Sequence, residues 1–396
     1  MDAPVPVTPP GTDDGMAVAT GRKVRGLTQR ELALQAAISL SMLRKIEQGD
    51  RPLTPGVRAA LAQALGPLPL APDGTPAAGR IAAAIPLLQD IMDAYDLPPD
   101  LPAGPRPLPQ LRSAVATATQ WRLASRYAEL AELLPGLIPE LTAAAITSTG
   151  PQQDHAYGLL ALAYRAADAI ADKHGHRDLS ARAVGLTRWA AARSANPALE
   201  MMAAYVRAEL FFTGNHATAG LRLLDNATAT TPDHRDIPRL AMLGALQMRA
   251  AVLAAHAGMP AEAADRMTEA RAAASYLPDG IYHGTAFGPS SVRVHELATA
   301  VEASDTTRAL QVISQWHPPG TLPAERRSHF HIEAARAYHW AGKPDQAITA
   351  LCQARQAAPQ HTRYNPAATS TIQALINTKR RPSPALLQLA SWAGIT

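Results

Sequence analysis

Residues 28–49, TQRELALQAAISLSMLRKIEQG, leave the backbone little choice. Two short helical patterns stand back to back here. Thr28 is placed to cap the first, whose inner face carries Leu32, Ala33 and Ala36. Ser39 is placed to cap the second, which turns Leu43 and Ile46 inward and ends at Gly49. A connection of only a few residues makes the two helices cross steeply, and Ala33 is small where they must approach. Leu40, Ser41, Arg44 and Lys45 are left on the outer face of the second helix.

Charge is concentrated in the same stretch. Residues 16–66 carry eight Lys and Arg side chains against three carboxylates, a net of +5, whereas the whole chain of 396 residues is +4. The rest of the molecule is therefore close to neutral, and the small module bears the positive field expected of a phosphate binder. A helix at about 16–25 and another at about 55–65 (VRAALAQAL) complete the expected module.

Leu27-Thr28-Gln29, Glu31-Leu32-Ala33, Ser39, Leu43, Ile46-Glu47 and Gly49 resemble the XRE family, the helix-turn-helix of lambda-type phage repressors. The turn position that is usually Gly in that family is Ala37. With a positive φ there, Ala costs about 1 kcal/mol relative to Gly. The resemblance implies double-stranded DNA as partner and places Leu40, Ser41 and Lys45 at base edges of a major groove. Gln29, at the start of the first helix, suits a phosphate, as do Arg44 and Arg51, and the caps Thr28 and Ser39 complete the expected DNA-binding set. It also implies that Arg22 and Glu47 pair structurally rather than touch DNA.

Two Pro-rich stretches follow, GPLPLAPDGTPAAG and DLPPDLPAGPRPLP, with a short helix at 80–94 between them. The expected organisation is a disordered arm at 1–15, the helix-turn-helix at 16–66, a linker at 67–109 and a helical body at 110–396. In that body, 34 residues counted from Ser328 place Ala335, Tyr338, Gly342, Ala347, Leu351, Ala354 and Pro359 at the signature positions of a tetratricopeptide repeat. Further units start near Gly244, Glu200 and Ser290, after helical pairs at 110–145 and 155–193. The fold class expected is all-α, a lambda-repressor-like domain followed by a tetratricopeptide-type α-solenoid. Together the halves resemble an actinobacterial architecture, an XRE helix-turn-helix joined to a tetratricopeptide-like sensor.

In this register the groove of the solenoid takes in Phe211, Phe212, Met248, His256, Glu302, Arg336, His339 and Trp340, aromatic groups with a few polar anchors. A small molecule or a peptide is the expected effector. Residues 276–290 form a loop longer than a repeat turn requires, placed to cap that groove.

Other chemistries find no support in the sequence. No catalytic constellation, Gly-rich phosphate loop or cofactor motif is present. His174 and His176 stand at a helix end and read as solvated; His329 and His331, two residues apart on a helix, point to different faces and do not form a metal pair. The single cysteine, Cys352, reads as a packing residue on a helix. No leader peptide is expected in the Pro-rich N-terminus, and no uninterrupted apolar run approaches membrane-spanning length. The chain is expected to be a cytoplasmic, non-enzymatic transcriptional regulator, a repressor sooner than an activator. A homodimer would read an inverted-repeat operator. The other reading is a tetratricopeptide protein-interaction adaptor tethered to DNA. The solenoid's inner face has few Lys or Asn, which favours the sensor.

Overall fold

A computed structural model describes residues 15, 18, 19, 22, 23, 25–48, 50, 51, 57, 60, 61, 64, 65, 76–212, 216–229, 232–378 and 382–395. The chain divides into two compact units, 1–87 and 88–396. Among the described residues the only sheet is one two-stranded hairpin, and the rest of the regular structure is helical.

In the first unit, α1 (Gln29–Gln35) and α2 (Leu40–Glu47) form the expected pair. Val18, Leu32, Ala33, Ala36, Leu43, Ile46, Leu61 and Leu65 build one small core. The backbone is helical at residues 22 and 23 and again at 57, 60, 61, 64 and 65, within the two flanking helices expected. The end of α2 at Gly49, the N-terminal arm and most of the first linker lie outside the described residues. Helix α3 (Pro76–Asp93) starts four residues earlier than expected, with Pro76 at its first position and Pro86 inside it. The chain's division into units falls within α3.

The second unit is a row of helical hairpins. They are α4 (Leu108–Leu123) with α5 (Tyr127–Thr147), α6 (Pro151–Lys173) with α7 (Arg177–Ala191), and α8 (Pro197–Arg207) with α9 (Ala217–Thr228), the last pair bridged by a 3-10 turn at Ala208–Phe212. After them come α10 (Ile237–His256) with α11 (Pro260–Ala274), α12 (Pro289–Glu302) with α13 (Thr306–Gln315), and α14 (Ala324–Trp340) with α15 (Pro344–Ala357). Short helices α16 (Pro359–Tyr364), α17 (Pro366–Thr378) and α18 (Pro384–Ala393) close the end.

Most of the hairpins share one reversal. A residue with positive φ follows the first helix, and the next N–H reaches back to the carbonyl five residues earlier: Arg126 to Trp121, His176 to Ala171, Met259 to Ala254, Asp305 to Ala300 and Lys343 to Tyr338. Gly175, Gly258 and Gly342 mark three of these turns in the sequence. Ser125 and Ser304 occupy the same left-handed conformation without that signal. Pro359 does not only end α15; it opens α16, because a proline suits a helix's first turn.

The first helix of each hairpin packs on that of the next, from α4 through α6, α8, α10, α12 and α14. Alanines such as Ala163, Ala167, Ala251 and Ala335 are fully buried and let these helices approach closely. The row curls until α14 touches α4, and Gln360 Oε1 accepts from the Tyr127 and Ala128 N–H groups at 2.9 and 3.2 Å. Two of the helices, Tyr127–Thr147 and Ile237–His256, are long and apolar enough to cross a membrane by length and composition, although charged side chains (Glu129, Glu132 and Glu140; Arg239 and Arg249) interrupt both. Both are packed in this stack, with 56% and 67% of their most apolar windows buried.

Residues 276–290, expected to be a loop, contain the hairpin β1 (Gly280–Tyr282) and β2 (Thr285–Phe287), in antiparallel register with Ile281 opposite Ala286. His283 and Gly284 form its two-residue tip, both with positive φ, as the right-handed twist of a hairpin requires. Phe287 is buried against Gly244, where any Cβ would collide with the ring.

Candidate nucleic-acid interface and inner recess

The helix-turn-helix is built as the sequence requires. Thr28 Oγ1 accepts from the Glu31 N–H at 3.2 Å, and the Glu31 carboxylate accepts from the Thr28 N–H at 2.7 Å, a reciprocal capping box. These backbone and hydroxyl donors hold the Glu31 carboxyl below its ordinary range. Ser39 Oγ accepts from the Met42 N–H at 3.1 Å. Ala37 carries φ of 50°, the left-handed turn expected between the helices.

Leu43 and Ile46 sit in the core, so the opposite side of α2 faces outward. Ser41, Arg44, Lys45 and Arg51 are exposed. Leu40 is half-buried and rests against the core, which fixes the start of α2 while leaving part of its side chain outside. Arg22 Nε donates to Glu47 Oε1 at 2.7 Å and its Nη2 to Oε2 at 3.0 Å, the structural pair expected. Gln29 Nε2 also donates to Glu47 Oε2, at 2.7 Å, so Gln29 ties the start of α1 to the end of α2. Burial alone would raise the Glu47 carboxyl; the Arg22 and Gln29 hydrogen bonds outweigh it and hold the group below its ordinary range.

In the second unit, several of the groove residues expected from the sequence come together. His256 Nδ1 lies 2.7 Å from Glu302 Oε2, and Arg336 donates to Glu302 at 2.9 Å and to Glu333 at 2.7 Å. Phe212 stands edge-on to His256, and Arg336 lies over the Trp340 ring. Trp340 is 46% exposed. Phe211 is half-buried against Gly220 of α9, and His339 is half-buried. Met248 does not belong to this ridge. It is fully buried, because α10 is packed by helices on several sides and has no open face at that position.

Two other sequence readings need correction. Cys352 is exposed on α15 rather than packed. His174 is half-buried between Tyr127 and Tyr364, not solvated, because the closing curl brings α16 over the end of α6. His329 and His331 diverge as expected. His329 is enclosed near Arg326 and His361, and His331 lies on the side of His317. No group of three metal-ligating side chains forms among the described residues.

The sequence reading missed a polar interior on the inner helices. Three arginines converge on Tyr205 of α8. Arg326 donates to its hydroxyl at 2.9 Å, Arg249 lies 4.2 Å from its ring centre and Arg165 lies 5.8 Å from it. Arg249 pairs with Glu209 at 2.9 Å. Arg165 donates to the His283 carbonyl at 2.9 Å and to Thr285 Oγ1 at 2.8 Å, and Arg122 donates to the Gly284 carbonyl. The tip of the hairpin is thus held by two buried guanidinium groups. Lys173, Glu325, His329 and His361 complete the surroundings through their fields.

Electrostatics follow from enclosure. Burial would raise the carboxyls of Glu209 and Glu325; Arg249 with Lys173, and Arg326 with Arg122, outweigh it and hold both down to about 2. Burial lowers Arg122, and lowers Arg165 further because Arg122 adds a like charge. Asp168, which accepts from Ser180 Oγ at 2.7 Å, is pushed up to about 7 by burial. Glu209 pairs with the largely buried Arg249 side chain while half of its own side chain meets solvent, so the cluster is open to solvent on that side. One signal for it was present in the sequence: Arg122, Arg165 and Arg249 each interrupt an apolar run (QWRLA, LAYRAA, LQMRAA) on a helix buried over most of its surface.

Comparison with known families matches residues 19–71 to the family model described as Helix-turn-helix (HTH_3). Comparisons with curated proteins and with solved structures give no match. The chain therefore carries an XRE-like helix-turn-helix domain at residues 19–71, slightly offset from the 16–66 read from the sequence, and such a domain points to a DNA-binding regulator.

Proposed function

We propose that this protein is a sequence-specific transcriptional regulator, a repressor sooner than an activator, that binds an inverted-repeat operator as a homodimer and acts where the chromosome is, in the cytoplasm. The observation that carries the reading is the division of α2. Leu43 and Ile46 are in the core, while Ser41, Arg44 and Lys45 stand exposed on a capped, rigid helix. Lys45 is assigned to guanine O6 or N7, Ser41 and Leu40 to neighbouring base edges, and Arg44 and Arg51 to phosphates. Thr28 and Ser39 place the starts of α1 and α2 against the backbone of the duplex. Gln29 acts chiefly through Glu47, since its amide is already committed there.

One such unit covers a half-site, so two copies related by two-fold symmetry read both halves. The helical hairpins of the second unit are assigned to a tetratricopeptide-like sensor, supported by the 34-residue register and the recurring left-handed reversals. A ligand there changes DNA affinity only through unequal binding to the competent and incompetent arrangements. The test is selection of bound sequences from a random DNA pool by the full chain. A palindromic consensus is the expected result, and binding without any enriched sequence overturns the reading.

A further inference from the structure

We infer that the recess around Tyr205 in the second unit binds a small anion of about two negative charges, carried on phosphate or carboxylate groups, through Arg122, Arg165 and Arg326. This gives a ligand class to the sensor reading above, and rests on it only for the effect on DNA.

The argument is one of charge balance inside an enclosure. Lys173 has Asp172 at 2.7 Å, Arg249 has Glu209 at 2.9 Å, and Glu325 is shared by the fields of Arg326 and Arg122, so among the described residues five cations, counting Arg165, meet three carboxylates. Arg122 and Arg165 touch no carboxylate among the described residues. Their acceptors are the neutral carbonyls of the hairpin tip and the Thr285 hydroxyl. Arg122 is 8% exposed and Arg165 5%. Two guanidinium ions placed this deeply, close enough to repel each other, are costly unless an opposite charge joins them.

Unused donors point the same way. The buried Nε atoms of Arg249 and Arg326 have no hydrogen-bond partner among the described residues. Each arginine carries five N–H groups in a planar fork that suits the two oxygens of a carboxylate or phosphate. Among the described residues, only one such donor of Arg122 and one of Arg326 is engaged. The cluster is open to solvent at Glu209, whose side chain is half exposed. Its surroundings are aromatic and neutral-imidazole groups, Tyr205, His295, His329 and His361, which add no further negative charge. Enclosure by the curled helices fits a small molecule rather than a chain.

The test is thermal unfolding of the full chain, followed by circular dichroism, with pyrophosphate or citrate against chloride at matched ionic strength. A saturable rise in Tm with one of the two is expected; preference for pyrophosphate identifies a phosphorylated ligand, and preference for citrate a polycarboxylate. Arg122→Gln and Arg165→Gln keep an amide donor for the hairpin and remove the charge. Each is expected to weaken the apparent Kd at least tenfold, whereas Arg177→Gln, at an exposed position, leaves it unchanged. Equal effects of all anions, or an unchanged Kd in Arg165→Gln, overturn the site. Should the glutamine variants not fold, Arg326→Lys keeps the charge but loses the fork; a tenfold weaker Kd supports the site, and an unchanged one overturns it. Operator affinity is measured separately. An anion that binds without changing it leaves the site standing and overturns the sensor reading.

Discussion

Arg22 and Glu47 meet through two parallel hydrogen bonds, 2.7 and 3.0 Å long, with side chains 12% and 6% exposed. The pair joins the segment before α1 to the last turn of α2, and Arg22 also donates to the Leu27 carbonyl at 2.9 Å. It therefore sets the angle at which α2 is presented. Neither group is free to hold a phosphate.

Removing one partner strands the other. Glu47→Gln is expected to destabilise the first unit by about 1–3 kcal/mol, and the Arg22→Met, Glu47→Leu double variant by less. Hydrogen exchange of the Leu43 amide reports this unit, whose sequence contains no tryptophan. Glu47 sits below its ordinary range when folded, so its contribution is present above that range and is lost as pH falls through the folded value. Glu47→Gln should remove that part of the acid dependence.

Ala37 holds a left-handed conformation that a side chain disfavours. Ala37→Gly is expected to stabilise the first unit by up to about 1 kcal/mol, less whatever glycine adds to the freedom of the unfolded chain. Slower exchange of the Ile38 amide, which donates across this turn to Ala33 at 3.0 Å, is the check. Faster exchange would mean that the turn depends on the Ala37 methyl.

Two variants separate reading from holding. Lys45→Ala should weaken specific binding by about 1–3 kcal/mol and relax one base position. Arg51→Ala should weaken all sequences alike and reduce the salt slope by about one. Titrations at several salt concentrations on operator and random DNA distinguish them; uniform weakening by Lys45→Ala would remove it from the base-reading set.

Gly244 is required by the ring of Phe287. Gly244→Ala forces that ring aside and should cost about 1–3 kcal/mol. The hairpin then lifts, releasing its tip from Arg122 and Arg165. Greater protease sensitivity at 280–287 is the expected result; an unchanged cleavage pattern would show that the hairpin adjusts in place.

His361 is 3% exposed, has Ser328 Oγ 3.0 Å from its Nδ1, and is lowered to about 4 by burial. Because the unfolded imidazole takes its proton near pH 6.5, the second unit loses stability from this group as pH falls from about 6.5 to 4. Asp168 and Glu333, both pushed up to about 7, act with opposite sign in the same window. The difference between wild type and His361→Gln isolates the histidine, and wild type should lose stability relative to the variant as pH falls through this window. Parallel profiles would refute that assignment.

The helix-turn-helix was legible because its determinants are local. Thr28 and Ser39 cap within three residues, and apolar spacing alone decides which side of α2 is inside. The hairpin boundaries were legible where glycines such as Gly258 and Gly342 mark the turns, and hidden where Ser125 and Ser304 take the same conformation. Only the tertiary structure decided the rest. Arg122, Arg165, Arg249 and Arg326 lie far apart in sequence and on four different helices, and no local pattern tells that they share one enclosure. The curl that brings α14 back to α4 creates it. Curvature accumulates from small angles between many packed helices, so it is a property of the whole row and of no segment within it.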